Sequence, residues 1–109
     1  MKADMMKTIL AVALVALAFP AAASGDAEVG RKLSTPCAAC HGANGVSVSP
    51  EFPNLAGQYP DYLEAALKHY KSGKRKNAIM QGQVANLEPK AMMDLAAYFA
   101  SQKALTVKH

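Results

Sequence analysis

The chain has 109 residues, two cysteines, no tryptophan, 51% hydrophobic residues and a formal net charge of +4 at pH 7. A chain of this size buries a modest core and often needs a disulfide, a metal or a cofactor as a staple, which excludes a large enzyme with its own substrate domain. The average hides two unlike segments: residues 1–24 hold 18 of the hydrophobic positions, and residues 25–109 are about 45% hydrophobic, inside the globular range.

In chain order, the first element reads as an export signal. Lys2 and Lys7 supply a positive n-region, residues 8–19 form an almost uninterrupted apolar stretch, and Pro20 breaks it before Ala21, Ala22, Ala23 and Ser24. That order is the pattern of a secretory signal peptide, with cleavage after Ala23 or Ser24 and a mature start at Gly25. A retained anchor is the lesser reading, because a dozen or so apolar residues fall short of the roughly 18 needed to span a bilayer. Residues 1–24 are therefore expected to be cleaved, leaving residues 25–109 as one exported, periplasmic domain. Without the leader the charge is +3, and four of the cations sit together at Lys71, Lys74, Arg75 and Lys76. Such a run usually marks a solvated helix end. Nucleic-acid binding would want more charge and stacking aromatics beside it, so no nucleic-acid partner is expected.

The rest of the chain is helical wherever a period is clear, and strand signals are nearly absent. Asp26 has the chemistry of an N-cap for a first helix through Ala27, Val29, Gly30 and Leu33. Thr35 and Pro36 end it, since a residue before proline avoids the helical region. A second helix is predicted over residues 60–71. There Leu63, Ala66, Leu67 and Tyr70 form one apolar stripe, and Gly73 is a natural stop. A last helix is predicted from Pro89, with Met92, Leu95, Ala96 and Phe99 repeating the stripe before Ser101 and Gln102. Between the first two lies a stretch rich in Gly, Asn, Ser and Pro at residues 42–58, and residues 74–87 also lack a strong period. Structureless loops this long are uncommon in so small a domain. Short helices joined by such loops make a poor core unaided, which implies a buried cofactor.

The chemistry sits in Cys37-Ala38-Ala39-Cys40-His41, the pattern of covalent attachment of c-type haem. On one helical turn, positions i, i+3 and i+4 share a face, so both thiols can meet the two vinyl groups of one porphyrin while His41 reaches the iron. Three other readings compete. A Cys37 to Cys40 disulfide suits an exported protein but staples only a tiny loop. A thioredoxin-like pair needs a βαβ unit, and a zinc site would have to recruit His69 or His109.

With these residues the mature chain resembles the class I c-type cytochromes, most closely the small monohaem bacterial ones or one half of their two-domain dihaem relatives. The resemblance rests on Cys37-Ala38-Ala39-Cys40-His41-Gly42, on Phe52-Pro53-Asn54-Leu55-Ala56-Gly57-Gln58, on Gly73-Lys74-Arg75-Lys76-Asn77-Ala78-Ile79-Met80 and on Leu95-Ala96-Ala97-Tyr98-Phe99-Ala100. It implies an all-α cytochrome c fold, three to four short helices and long loops wrapped around one covalently bound haem c. Gly30 and Tyr98 look like the pair at which the first and last helices cross. Of the candidate sulfur ligands, Met92 lies on the apolar stripe of the last helix, with Met93 beside it. Met80 belongs to no stripe and matches the family's ligand position, so His41 and Met80 are expected as the axial iron ligands. A vacant or histidine-bound sixth site is the alternative. The resemblance assigns Pro53 as carbonyl acceptor for the His41 ring, the other reading being a turn residue. Tyr59 and Arg75 look like propionate contacts, or else surface or packing residues. His69 lies off its helix's stripe and is expected to be exposed.

The function implied is that of a periplasmic one-electron carrier cycling between Fe(III) and Fe(II), not an enzyme. Its partners would be redox proteins with acidic surfaces, and membrane contact would come only through membrane-bound partners. An electron-transfer subunit of a larger dehydrogenase or oxidase is the nearest alternative. A haem sensor or enzyme would need an open iron site.

Overall fold

In the computed structural model, which describes residues 25–104, Asp26 opens the first helix. Its carboxylate accepts from the backbone N–H groups of Glu28 (3.0 Å) and Val29 (3.2 Å), two of the donors a helix start leaves without partners. The expected signal peptide and His109 lie outside the described residues. Helix α1 spans Ala27–Leu33, α2 Thr35–His41, α3 Pro60–Ser72, α4 Ala78–Val84 and α5 Pro89–Ala100, with no strand among the described residues.

The all-α class holds, with two more short helices than the periodicity suggests. Helix α1 ends at Leu33, ahead of Pro36 as expected, but Thr35 does not avoid the helical region: it opens α2 with Pro36 in the first turn, where proline forfeits a hydrogen bond that the turn would not make. The buried Ser34 forms the joint, its hydroxyl donating to the Arg31 carbonyl at 2.7 Å. The second expected loop is likewise not structureless. Asn77 caps α4 by accepting from the Met80 N–H at 3.0 Å. Gln81, Gly82 and Gln83 dilute the apolar period, and only Val84 is buried, so seven residues left no stripe to read. Helix α3 stops at Gly73 in the left-handed region, φ 81°.

Helix α5 organises the rest. Leu95, Ala96, Tyr98 and Phe99 meet Leu63 of α3 in the core, with Cys37, Leu55, Leu67 and Leu87 packed against them. Across its other side runs α1, at a separation only glycine permits: a Cβ on Gly30 would overlap the Asp94 carbonyl oxygen and lie 2.8 Å from Tyr98 Cβ. Beside this crossing the buried Asp94 carboxylate accepts from the Asp26 N–H (2.7 Å) and from Lys90 Nζ (2.8 Å). The loop after α2 is also held from α5. Tyr98 donates its hydroxyl to the Ala43 carbonyl at 2.7 Å, and the Gly57 N–H donates to the Phe99 carbonyl at 3.0 Å.

Two outcomes are expected. Gly30→Ala should lower stability by about 1–3 kcal/mol or more in urea unfolding, since backbone rather than a flexible side chain blocks the new methyl. Asp94 is held below the ordinary carboxylate value, first by the Lys90 hydrogen bond and then by the Asp26 N–H. A depressed carboxyl stabilises fully above its unfolded value, about pH 4, and the contribution fades as pH falls through the lower folded value. Wild type should therefore lose stability over that acid range more steeply than Asp94→Asn, which should start lower at neutral pH.

Candidate functional site

One turn of α2 brings together Cys37, Cys40 and His41. Its backbone is anchored by the Cys37 and Ala38 N–H groups on the Ser34 carbonyl (2.9 and 3.0 Å) and by the Gly42 N–H on the Ala38 carbonyl (3.0 Å). Both cysteines are free thiols and half-buried. Burial raises the Cys37 pKa, against a smaller lowering by a backbone hydrogen bond.

His41 is buried, 7% exposed, and its Nδ1 lies 2.8 Å from the Pro53 carbonyl oxygen. A carbonyl only accepts, so this contact places the hydrogen on Nδ1 and leaves the Nε2 lone pair for a metal. The segment carrying Pro53 is itself held. The Ser47 N–H donates to Asn54 Oδ1 (2.6 Å), the Phe52 N–H to the Ser49 carbonyl (3.1 Å), and the Leu55 and Ala56 N–H groups to the Gly45 carbonyl (2.7 and 3.0 Å). Gly45 adopts φ 83° with Phe99 close behind it, an approach that a side chain would block.

Met80 sits half-buried in the first turn of α4, not in a loop. Met92 is 2% exposed within α5, and Met93 is half-buried beside it. Tyr59 is 78% exposed and precedes α3. Arg75 turns toward α3: Nη1 donates to the Tyr62 hydroxyl at 3.2 Å, and the guanidinium carbon lies 4.9 Å from the Tyr70 ring centroid. His69 is half-buried rather than exposed, and its carbonyl accepts from the Arg75 N–H at 3.0 Å as the chain turns back after Gly73. Sequence reading placed Tyr98 at the helix crossing but missed what its hydroxyl holds, and it missed Asn77 as a positioning group. Asn77 had the standard N-cap residue type as its signal, but the Tyr98 hydroxyl reaches a residue 55 positions away and left none.

The donor set fits a covalently attached haem: two free thiols three positions apart, an adjacent imidazole with Nε2 available, and a thioether on a separate helix. It does not fit a bare metal ion, since no group of three or more His, Cys, Asp or Glu among the described residues could hold one.

Comparison with known proteins gives the family. The family model for cytochrome c matches residues 27–103. The chain is 43% identical over 99 residues to cytochrome c4 of Pseudomonas aeruginosa, covering 91% of this chain and 48% of that protein. It is 40% identical over 83 residues to cytochrome c-554(548) of Halomonas halodenitrificans, covering 73% of this chain and all of that protein. The fold superposes on the crystal structure of reduced recombinant cytochrome c4 from Pseudomonas stutzeri with a TM-score of 0.70 and 42% identity, over 73% of this chain and 47% of that one. The chain thus spans about half the length of the cytochrome c4 relatives it matches.

Cys37→Ala and Cys40→Ala are each expected to lower the yield of covalent haem protein, and the double variant to abolish it, measured as haem retained through denaturing electrophoresis. A double variant that kept native helix content with no haem bound would contradict the assignment.

Proposed function

Because the chain belongs to the cytochrome c family, whose members carry covalently attached haem c, we propose that residues 25–109 form a one-electron carrier in the periplasm. The bound group supplies an iron that alternates between Fe(III) and Fe(II). Cys37 and Cys40 would hold it through thioethers, and His41 and Met80 would supply the axial ligands. The observation that carries this reading is the contact between His41 Nδ1 and the Pro53 carbonyl. It orients the imidazole, makes its Nε2 a better donor and spares the ring from searching for its ligand geometry at each redox event.

A soft thioether at the sixth position favours Fe(II) and raises the potential relative to two imidazoles. Filling both axial positions leaves no open site for bond chemistry, which supports a carrier rather than a catalyst. The leader-like residues 1–24 support export. Tyr59 remains a candidate for a propionate hydrogen bond because its ring is exposed and unspent. Arg75 would have to give up its tyrosine contacts to serve in that way.

The partner is proposed to be a redox protein with an acidic surface. Lys74 and Lys76 are exposed and enter none of the ion pairs among the described residues. They stand next to the segment bearing Met80, where fixed positive charge would steer an acidic surface during a small, short-lived encounter.

Two experiments test this reading. Met80→Ala should keep the haem but lose the far-red sulfur-to-iron charge-transfer band of the ferric form, bind carbon monoxide when ferrous and fall in potential. Met92→Ala should keep the band and cost about 2–5 kcal/mol in stability from the cavity it leaves; swapped phenotypes would move the ligand to α5. Reversing the charge of Lys74 and Lys76 together should slow reduction by an acidic redox protein at low ionic strength and have little effect in high salt. An unchanged rate at low salt would remove these lysines from docking.

A further inference from the structure

The cationic run that sequence reading treats as one solvated patch is divided in the structure. Lys71 Nζ donates to the Leu87 carbonyl at 2.6 Å, just beyond the end of α4. Arg75 lies just before the start of α4 and returns to α3 by three routes. Its N–H bonds the His69 carbonyl (3.0 Å), its Nη1 bonds the Tyr62 hydroxyl (3.2 Å), and its guanidinium lies against the Tyr70 ring (4.9 Å). Tyr62, His69 and Tyr70 recur at i, i+7 and i+8, so they share one face of α3.

Between these two attachments α4 has little else to hold it. Val84 is its one buried residue, Ile79 is 64% exposed, and a side chain at Gly82 would meet nothing within 4 Å. A seven-residue helix is too short to be stable alone, so its position must come from its ends. Asn77, two residues beyond Arg75, then fixes the Met80 N–H.

We propose that Lys71 and Arg75 are positioning residues for Met80: they tie the two ends of the α4 segment to α3, and so set how often the Met80 sulfur leaves the iron. The proposal rests on the reading of Met80 as sixth ligand. The two attachments differ from Lys68 on the same helix, whose partner Glu64 (2.7 Å) also belongs to α3 and ties nothing to α4.

The test uses the haem-loaded protein. Carbon monoxide can bind ferrous iron only after the sulfur departs, so its binding rate reports how often α4 lets go. Rates are measured in about 0.5 M salt, where general charge effects are screened. Arg75→Ala and Lys71→Met should each raise the rate roughly two- to tenfold, the size expected for losing an exposed cation–π contact or an ordinary exposed hydrogen bond. Arg75→Lys should recover part of the effect, and Tyr62→Phe should give a smaller increase. Lys68→Met removes the same charge from the same helix and should stay within about twofold of wild type. Ferric charge-transfer intensity should fall in the order of the rate increases. Two results overturn the proposal. If Met80→Ala keeps the charge-transfer band, the ligand reading fails and this one fails with it. If Met80→Ala loses the band but Arg75→Ala and Lys71→Met behave like Lys68→Met, only the tie is wrong.

Discussion

The close approach of α1 to α5 at Gly30 is the contact on which the remaining geometry depends. With no side chain at this position, the α1 backbone rests against the Asp94 carbonyl and the Tyr98 Cβ, and the Asp26 N–H reaches the Asp94 carboxylate. That contact fixes α5 against the start of the chain. From α5 the Tyr98 hydroxyl and Phe99 carbonyl then reach out to Ala43 and Gly57. Those bonds hold both ends of the loop that presents the Pro53 carbonyl, and the carbonyl holds His41. The helix crossing is thus linked, through four hydrogen bonds and a glycine, to the orientation of His41, the proposed iron ligand.

This arrangement explains how a small chain can specify a site without a large core. The buried apolar side chains are few: Leu63, Val84, Met92, Leu95, Ala96, Tyr98 and Phe99. Hydrophobic burial alone would leave the Gly42–Gln58 stretch under-determined, so backbone carbonyls and side-chain caps take over the work of positioning. Cys37 packs against the same core, so the attachment site and the core are one structure.

The sequence made the elements with long apolar stripes legible, and the reason is physical. Helix α5 buries most of one face, and α3 lays Leu63, Ala66, Leu67 and Tyr70, buried or half-buried, along a single stripe, so their period survives in the residue order; Gly73 and Pro89 each mark one of their ends, as Asp26 does for α1. The spacing of Cys37, Cys40 and His41 was legible because the haem attachment proposed for them demands a fixed local pattern. Helix α4 was not, because Gln81, Gly82 and Gln83 interrupt its seven residues and leave no apolar repeat, its ends being held by Asn77, Arg75 and Lys71. His69 was misread as exposed, because lying off an apolar stripe does not by itself set how far a residue is covered. The uniform look of the cationic run also concealed a division of labour, with the exposed Lys71 and Arg75 side chains bonded to neighbouring groups and Lys74 and Lys76 left to solvent.

The central claim is that Met80, carried on an end-tethered helix, completes the coordination begun by the rigidly held His41. The most direct measurement is proton NMR of the reduced holoprotein with methionine methyl groups selectively labelled and assigned by substitution. A methyl group lying over the porphyrin face on an iron-bound sulfur is shifted far upfield by the ring current. The account predicts one such resonance, assigned to Met80, with Met92 and Met93 in the ordinary range. An upfield methyl that belonged to Met92 or Met93, or the absence of any, would contradict it.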